Sequence, residues 1–483
     1  MRIGTTSGQP VAPSRHRSRL RPCPHRRGRS GRTSFTLPCA AVDDPATKAG
    51  RAMSRRIAIL MILAVIATAC VNDDPTFTGS PNATAGAGSA SSAGTTASSG
   101  GPRATTATAA LRSFELLRVE ASPREFGPEA LIPSDIPDVL TEIRFSDPGF
   151  GPTQIQSGDL KRGGPAPDGI PSIDKPRFER VEQVDWLTDN EPVFVFELGG
   201  EARAYPLQIL MFHEIVNDTI AGVPVAITYC PLCNSAFAHD RRHEGRVLSF
   251  GVSGALYNSS LVMFDRQTFS LWSHFSGQGL VGVFGGDKLT SYPVTLASWN
   301  EFQAAHPDGI VLSRDTGFTK DYGRNLYPGY DDVNTPPFFF DEGAVDGRYA
   351  AKTRIVGLDL PSGAQAVTNQ RLETDRDVAL LDGDRPLVVW WQPGTRSALD
   401  SKAIADGRDV GTTGAFEATL DGQVLTFRPV DGGFEDTQTN SRWNVLGDAI
   451  GGPLAGRELT RITHVDTFWF AWAAFQPDTV ITG

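Results

Sequence analysis

Val223-Pro224-Val225-Ala226-Ile227-Thr228-Tyr229-Cys230-Pro231-Leu232-Cys233-Asn234 is an apolar run that ends in a Cys-x-x-Cys turn. The run reads as a β-strand that delivers Cys230 at its exit. His213 to Asp218 reads as its hairpin partner, closing through Thr219-Ile220-Ala221-Gly222. Period two puts His213, Ile215 and Asn217 on one face and Glu214, Val216 and Asp218 on the other. Ser235 to Asp240, just after Cys233, again reads as strand. A thioredoxin site needs its first thiol at a helix N-terminus, so that fold is excluded.

The reading extends outward in the same way. Val193 to Leu198 and Glu201 to Tyr205 flank Gly199-Gly200 as a second hairpin, and Pro206 to Met211 makes one helical turn. Arg246 to Phe250 and Leu261 to Phe264 are further β-like runs. Ser298-Trp299-Asn300-Glu301 has capping-box spacing and opens a short helix that ends before Pro307. The expected fold is mainly β, an α+β arrangement with few short helices.

An internal match enlarges this picture. Asp265-Arg266-Gln267-Thr268-Phe269-Ser270-Leu271-Trp272 returns as Asp436-Thr437-Gln438-Thr439-Asn440-Ser441-Arg442-Trp443. Gly282, Gly286, Leu289-Thr290 and Trp299 pair with Gly452, Gly456, Leu459-Thr460 and Trp469, and Pro224 to Ile227 pair with Pro386 to Val389. Order and spacing hold over more than a hundred residues, which predicts two tandem, divergent copies of one β-rich domain, 168–312 and 348–483. A Gly-rich aromatic connector, 313–347, joins them. Where the first copy has its cysteines, the second has Gln392-Pro393-Gly394-Thr395. It also lacks matches to His213, Asn217, Asp218 and Tyr257-Asn258, so the first copy is the expected active one. The recurring Trp272, Trp299, Trp443 and Trp469 are expected in the core.

The N-terminal third reads differently. Residues 1–52 carry ten Arg and one Lys against Asp43 and Asp44, without hydrophobic periodicity, and are expected to be a non-structural leader upstream of a true start at Met53. Residues 53–69 have the charged start, short apolar run and small terminal residues of a secretory signal. Cys70 follows as in a bacterial lipobox, with Ala67 where Leu is usual, and is the expected lipidation site. Residues 70–110 form an Ala/Thr/Ser/Gly tether too poor in apolar side chains to fold, and 111–167 are a less defined extension. The chain is thus expected to be exported and lipid-anchored at the cell membrane. Its net charge is −10 overall, and without the eleven leader cations, the two leader aspartates, Arg55 and Arg56 it is −21. Such a surface excludes nucleic acid, whose phosphates are neutralised by Lys and Arg.

Of five cysteines, only Cys230 and Cys233 lie in the folded part. They can exchange with or reduce another disulfide. They can bind zinc or copper with His213 and His239, since one Cys-x-x-Cys supplies only half of a tetrahedral site. Or they can form an inert disulfide in a noncatalytic cell-surface binding module. All three readings stand. The catalytic candidates around the pair are His213, Asn217, Asp218, Tyr257 and Arg266; Asp265, which returns as Asp436, reads as structural. Gly282 to Gly286 lacks the Lys-Ser/Thr of a phosphate loop. Whether the chain is an enzyme, and which partner it meets beyond the membrane, stay open.

Asp168-Gly169-Ile170-Pro171, Arg203-Ala204-Tyr205-Pro206-Leu207, His213 to Asp218, Tyr229 to Cys233 and Asp265 to Thr268 with Ser270-Leu271-Trp272 together resemble the family called domain of unknown function 3179. The resemblance runs from Asp168 to the C-terminus and implies no established activity. Descriptions of some relatives as selenoproteins imply redox work at the Cys-x-x-Cys. His274 stands where the family pattern implies a polar residue, usually Gln, and takes no role from the resemblance.

Overall fold

A computed structural model describes residues 152–340 and 346–482. The leader, the signal segment, Cys70 and the tether lie outside the described residues. Among those described the protein is mainly β, with four α-helices of seven residues each. No described helix is long and apolar enough to cross a membrane.

Alternating β-branched and aromatic residues build the first sheet. Pro192–Leu198 and Glu201–Pro206 pair antiparallel across the Gly199-Gly200 turn. Thr295–Ser298 adds to one edge, and Ile310–Leu312 adds in parallel to the other. Ser298 accepts from Glu301 N–H and Glu301 returns a bond to the Ser298 backbone, so the helix Trp299–Ala305 starts where the capping box places it. Leu207–His213 is likewise helical and runs two residues past the single turn read over Pro206 to Met211. His213 therefore ends a helix instead of opening a strand. Glu214 takes φ +57° at its C-cap, and the strand begins at Ile215.

The second sheet carries the cysteines. Ile215–Ile220, Val223–Cys230 and Ser235–Asp240 form an antiparallel meander with Ser291–Tyr292 at its edge. A third sheet runs through Phe250–Tyr257, Ser260–Asp265, Leu271–Ser273 and Gly279–Val281. One of its corners is built on Asp265, whose carboxylate accepts from Thr268 N–H at 2.6 Å and Trp272 Nε1 at 2.9 Å, with Phe269 at φ +55°.

The same order recurs downstream. Arg354–Leu360 and Gly363–Thr368 pair between Val465–Phe468 and the parallel Val480–Thr482, and Asp377–Asp382, Arg385–Gln392 and Thr412–Glu417 form a meander. Asp436 holds Trp443 Nε1 at 3.0 Å, and Asn440 has φ +57°. The two halves share their interior: each of the two largest apolar clusters draws on both, and Trp272, Trp299, Trp443 and Trp469 are fully buried. All described residues belong to one compact unit.

Candidate functional site

The turn after Cys230 is short because four residues, Pro231 to Asn234, must bring Ser235 back opposite Cys230. Pro231 fixes its own φ, and Asn234 closes the turn with φ +52°, a conformation Asn tolerates better than most residues. Asn234 N–H donates to Pro231 O at 3.3 Å. Both sulfurs fall on the same side, 3.3 Å apart and not joined in a disulfide.

Their third neighbour is His274, one residue beyond Leu271–Ser273. The two Sγ atoms and a ring nitrogen of His274 lie within 4.8 Å of one another, and all three residues are buried. Nε2 stands 3.6 Å from Cys233 Sγ and 3.3 Å from Ser235 Oγ. Nδ1 meets Thr228 Oγ1 at 3.2 Å, and that hydroxyl donates to Phe237 O. A hydroxyl that spends its proton on a carbonyl accepts from the ring, so Nδ1 carries the hydrogen. The Nε2 lone pair therefore faces Cys233 Sγ and the Ser235 hydroxyl. Second-layer contacts fix this geometry: His239 Nε2 bonds His274 O at 2.8 Å, and Ser235 and Ser260 hydroxyls lie 3.0 and 3.3 Å from Cys233 Sγ.

The two thiols are not equivalent. Burial pushes Cys230 well up, and the neighbouring Cys233 adds to the shift. Burial also raises Cys233, but donors from Cys230, Ser235 and Ser260 outweigh it and hold this thiol below its ordinary range. Cys233 is 0% exposed and Cys230 2%. The connector and the second half close over them. Tyr330 donates to Leu232 O at 2.9 Å, while Thr467 Oγ1 and Phe468 N–H both bond Cys233 O, at 2.7 and 3.1 Å. Glu214 is buried beside this shell, its carboxyl raised well above the usual range by burial and by Cys230.

The other expected site residues lie elsewhere. His213 Nδ1 faces Pro171 O and Nε2 faces Tyr322 Oη, both at 2.7 Å. His239 touches the backbone of His274 and the Ser291 hydroxyl, so it positions the cluster without entering it. Of the set Cys230, Cys233, His213 and His239, the structure groups only the cysteines, and the imidazole that joins them is His274. Asn217 bonds Asp174 Oδ1 and the backbone of Phe250. Arg266 clamps Asp168, Asp174 and Ser172. These two hold the segment 168–174 onto the sheet. Asp218 pairs with Arg203 and accepts from Tyr205 Oη at 2.6 Å. Tyr257 packs edge-on against Phe475. The sequence did contain a signal for His274: counted from the paired Trp272 and Trp443, its place in the second half is Val445.

The fold and this cluster define a mainly β protein with a closed Cys-Cys-His centre. The chain belongs to the family described as "Protein of unknown function (DUF3179)", whose model matches residues 167–479. No curated protein and no solved structure matches it.

Proposed function

We propose that Cys230, Cys233 and His274 bind a soft metal ion, copper(I) in the first place. The observation that carries this reading is the placement of His274, whose Nε2 lies 3.6 Å from Cys233 Sγ while its Nδ1 donates to the Thr228 hydroxyl. Two thiolates and one imidazole are a soft donor set, which selects copper(I) or zinc over hard cations. Zinc needs a fourth ligand to close a tetrahedron, and the three-residue set suits copper(I) better. Binding displaces the thiol protons, and the hydroxyls of Ser235 and Ser260 then serve as hydrogen-bond donors to the Cys233 thiolate.

Titration with copper(I) against a competing chelator tests this. One ion per chain is expected, and the Cys230→Ser, Cys233→Ser double variant retains none. Equal retention by native chain and double variant, or none by either, overturns it.

The 3.3 Å sulfur separation favours a second reading, a dithiol that yields two electrons and two protons to an oxidant and becomes a disulfide. Burial excludes attack by a protein disulfide in this conformation, so the oxidant is a small molecule. Peroxide treatment followed by mass spectrometry decides: loss of two hydrogens confined to the peptide with Cys230 and Cys233 supports it. Export and anchoring through Cys70 complete the proposal on sequence grounds, and a Cys70→Ala chain should leave the membrane fraction.

A further inference from the structure

In the first half the strand Ile215–Ile220 has its outer edge covered. Ile173 lies along it, donating to Ile215 O and accepting from Asn217 N–H, and is 1% exposed. Strand register makes Asp377–Asp382 the equivalent strand of the second half. Trp391 N–H donates to Arg376 O, so in this antiparallel ladder Asp377, Ala379 and Leu381 turn their backbone groups outward. No described residue bonds Asp377 O or Ala379 N–H, the equivalents of the two groups that Ile173 takes. The connector that precedes Arg354 lies over the cysteine turn instead, where Tyr330 holds Leu232 O.

A groove of about 950 Å³ runs beside this bare edge, lined also by Leu425 and Phe427, which match Leu248 and Phe250 of the first half. Three exposed apolar side chains line it, Leu381 at 60%, Val424 at 52% and Val480 at 65%. An unpaired edge with such side chains is a template for one more strand. The slot has also changed sign. In the first half Arg266 clamps Asp168 and Asp174, and Arg241 bonds Asp218 O and Leu248 O. Their equivalents are Thr437 and Ala418. Among the described residues the second-half groove is lined by Asp359, Asp377 and Asp478 and by no Lys or Arg. It suits an apolar strand that carries cations.

The chain upstream of Pro152 contains such a run, Leu111-Arg112-Ser113-Phe114-Glu115-Leu116-Leu117-Arg118-Val119. Period two puts Phe114 and Leu116 on one face between Arg112 and Arg118, with Glu115 on the other. The nearer run, 131–140, carries Asp135 and Asp138 and no cation, the wrong sign for this lining. Reach is ample. About thirty residues separate Val119 from Pro152, enough to span about 100 Å extended. Gln154 and Ile155 line a cavity that shares Asp359 and Gln476 with the groove, so the described chain starts close to it. We propose that residues 111–119 lie extended along the outer edge of Asp377–Asp382, with Phe114 and Leu116 in the groove and Arg112 and Arg118 against its carboxylates. They take in the second half the place that Ile173 holds in the first. Because they follow the Ala/Thr/Ser/Gly tether directly, docking fixes where the tether leaves the folded body. The proposal stands whether or not the cysteines hold a metal.

Replacing the exposed Leu381 of the full chain by the photocrosslinker p-benzoylphenylalanine tests this. Irradiation should join it to a peptide from residues 111–119 at the mass of one chain. Phe114→Asp together with Leu116→Asp should cut that yield at least fivefold. Hydrogen exchange gives a readout that leaves the groove untouched: the Ala379 amide should exchange at least tenfold faster in the Phe114→Asp, Leu116→Asp chain than in the native one. Crosslinks confined to other segments, to a second copy or to another protein, no crosslink, a yield unchanged by the double substitution, or equal exchange of the Ala379 amide each overturns the proposal.

Discussion

The Cys-x-x-Cys turn and its equivalent in the second half occupy the same frame with opposite contents. Strand register puts Gln392 at the place of Cys230 and Thr412 at that of Ser235. Thr395 meets Thr412 through its hydroxyl as Cys233 meets Ser235. Behind them the difference is larger. Thr228, His239 and His274 correspond to Trp390, Phe416 and Val445, and Trp390 packs against Phe416 at 4.8 Å and stacks on Phe434 at 4.3 Å. A further group closes the second site: Glu301 accepts from Gln392 Nε2 at 3.0 Å and from the Thr412 hydroxyl. Both crossing helices start at a Trp, so the reciprocal position is Ala471, which supplies no carboxylate. The frame thus closes well around aromatic packing. Closing the frame therefore does not in itself call for the buried sulfur, imidazole and hydroxyl groups that the first half keeps.

The sharpest way to break this comparison is at the proposed metal site. His274→Val installs the second half's residue and is expected to lower copper(I) affinity at least a hundredfold, about 2.7 kcal/mol or more, with the fold intact by circular dichroism. Unchanged affinity would remove His274 from the centre. Next comes the plug of the second site. Glu301→Ala strands the Gln392 and Thr412 donors and deletes a helix cap, so the urea midpoint should fall by the equivalent of about 3 kcal/mol at constant slope, without altering metal binding.

His213 supplies a pH test. Burial lowers its pKa to about 4, with Pro171 O opposing the shift. Between pH 4 and 6.5 the unfolded chain therefore binds a proton that the folded one refuses, and stability falls on acidification by about 3 kcal/mol across that window. His213→Phe should flatten this part of the stability profile. Smallest is Arg266→Gln: its ion pairs with Asp168 and Asp174 are partly exposed, so a loss below about 1 kcal/mol is expected. Copper(I) affinity should not move, because Arg266 serves the 168–174 segment and not the sulfurs.

The strand of Val223–Cys230, the hairpins, the helix cap at Ser298 and the Asp265 and Asp436 corners were legible because each is decided by neighbours within a few residues. His274 was not, since forty-one residues separate it from Cys233 and only the pairing of Ser260–Asp265 with Leu271–Ser273 brings it there. Comparing the halves position by position, as for the cysteines, picks out His274 against Val445 and Thr228 against Trp390. His213, Asn217, Asp218 and Arg266 share the first half's distinctiveness, but their hydrogen bonds tie down a segment and an ion pair away from the sulfurs. Which polar residues converge on one point is set by sheet register and by the second half, and neither is written in local spacing.

The carbonyl of Cys233 is grasped by Thr467 and Phe468, the first of them 234 residues further along the chain. During synthesis, that whole stretch must be made before the grip can form. Until then the first half lacks the strand Val465–Phe468 that covers its thiols, and an ion taken up by the proposed centre would meet less obstruction before that strand docks than after.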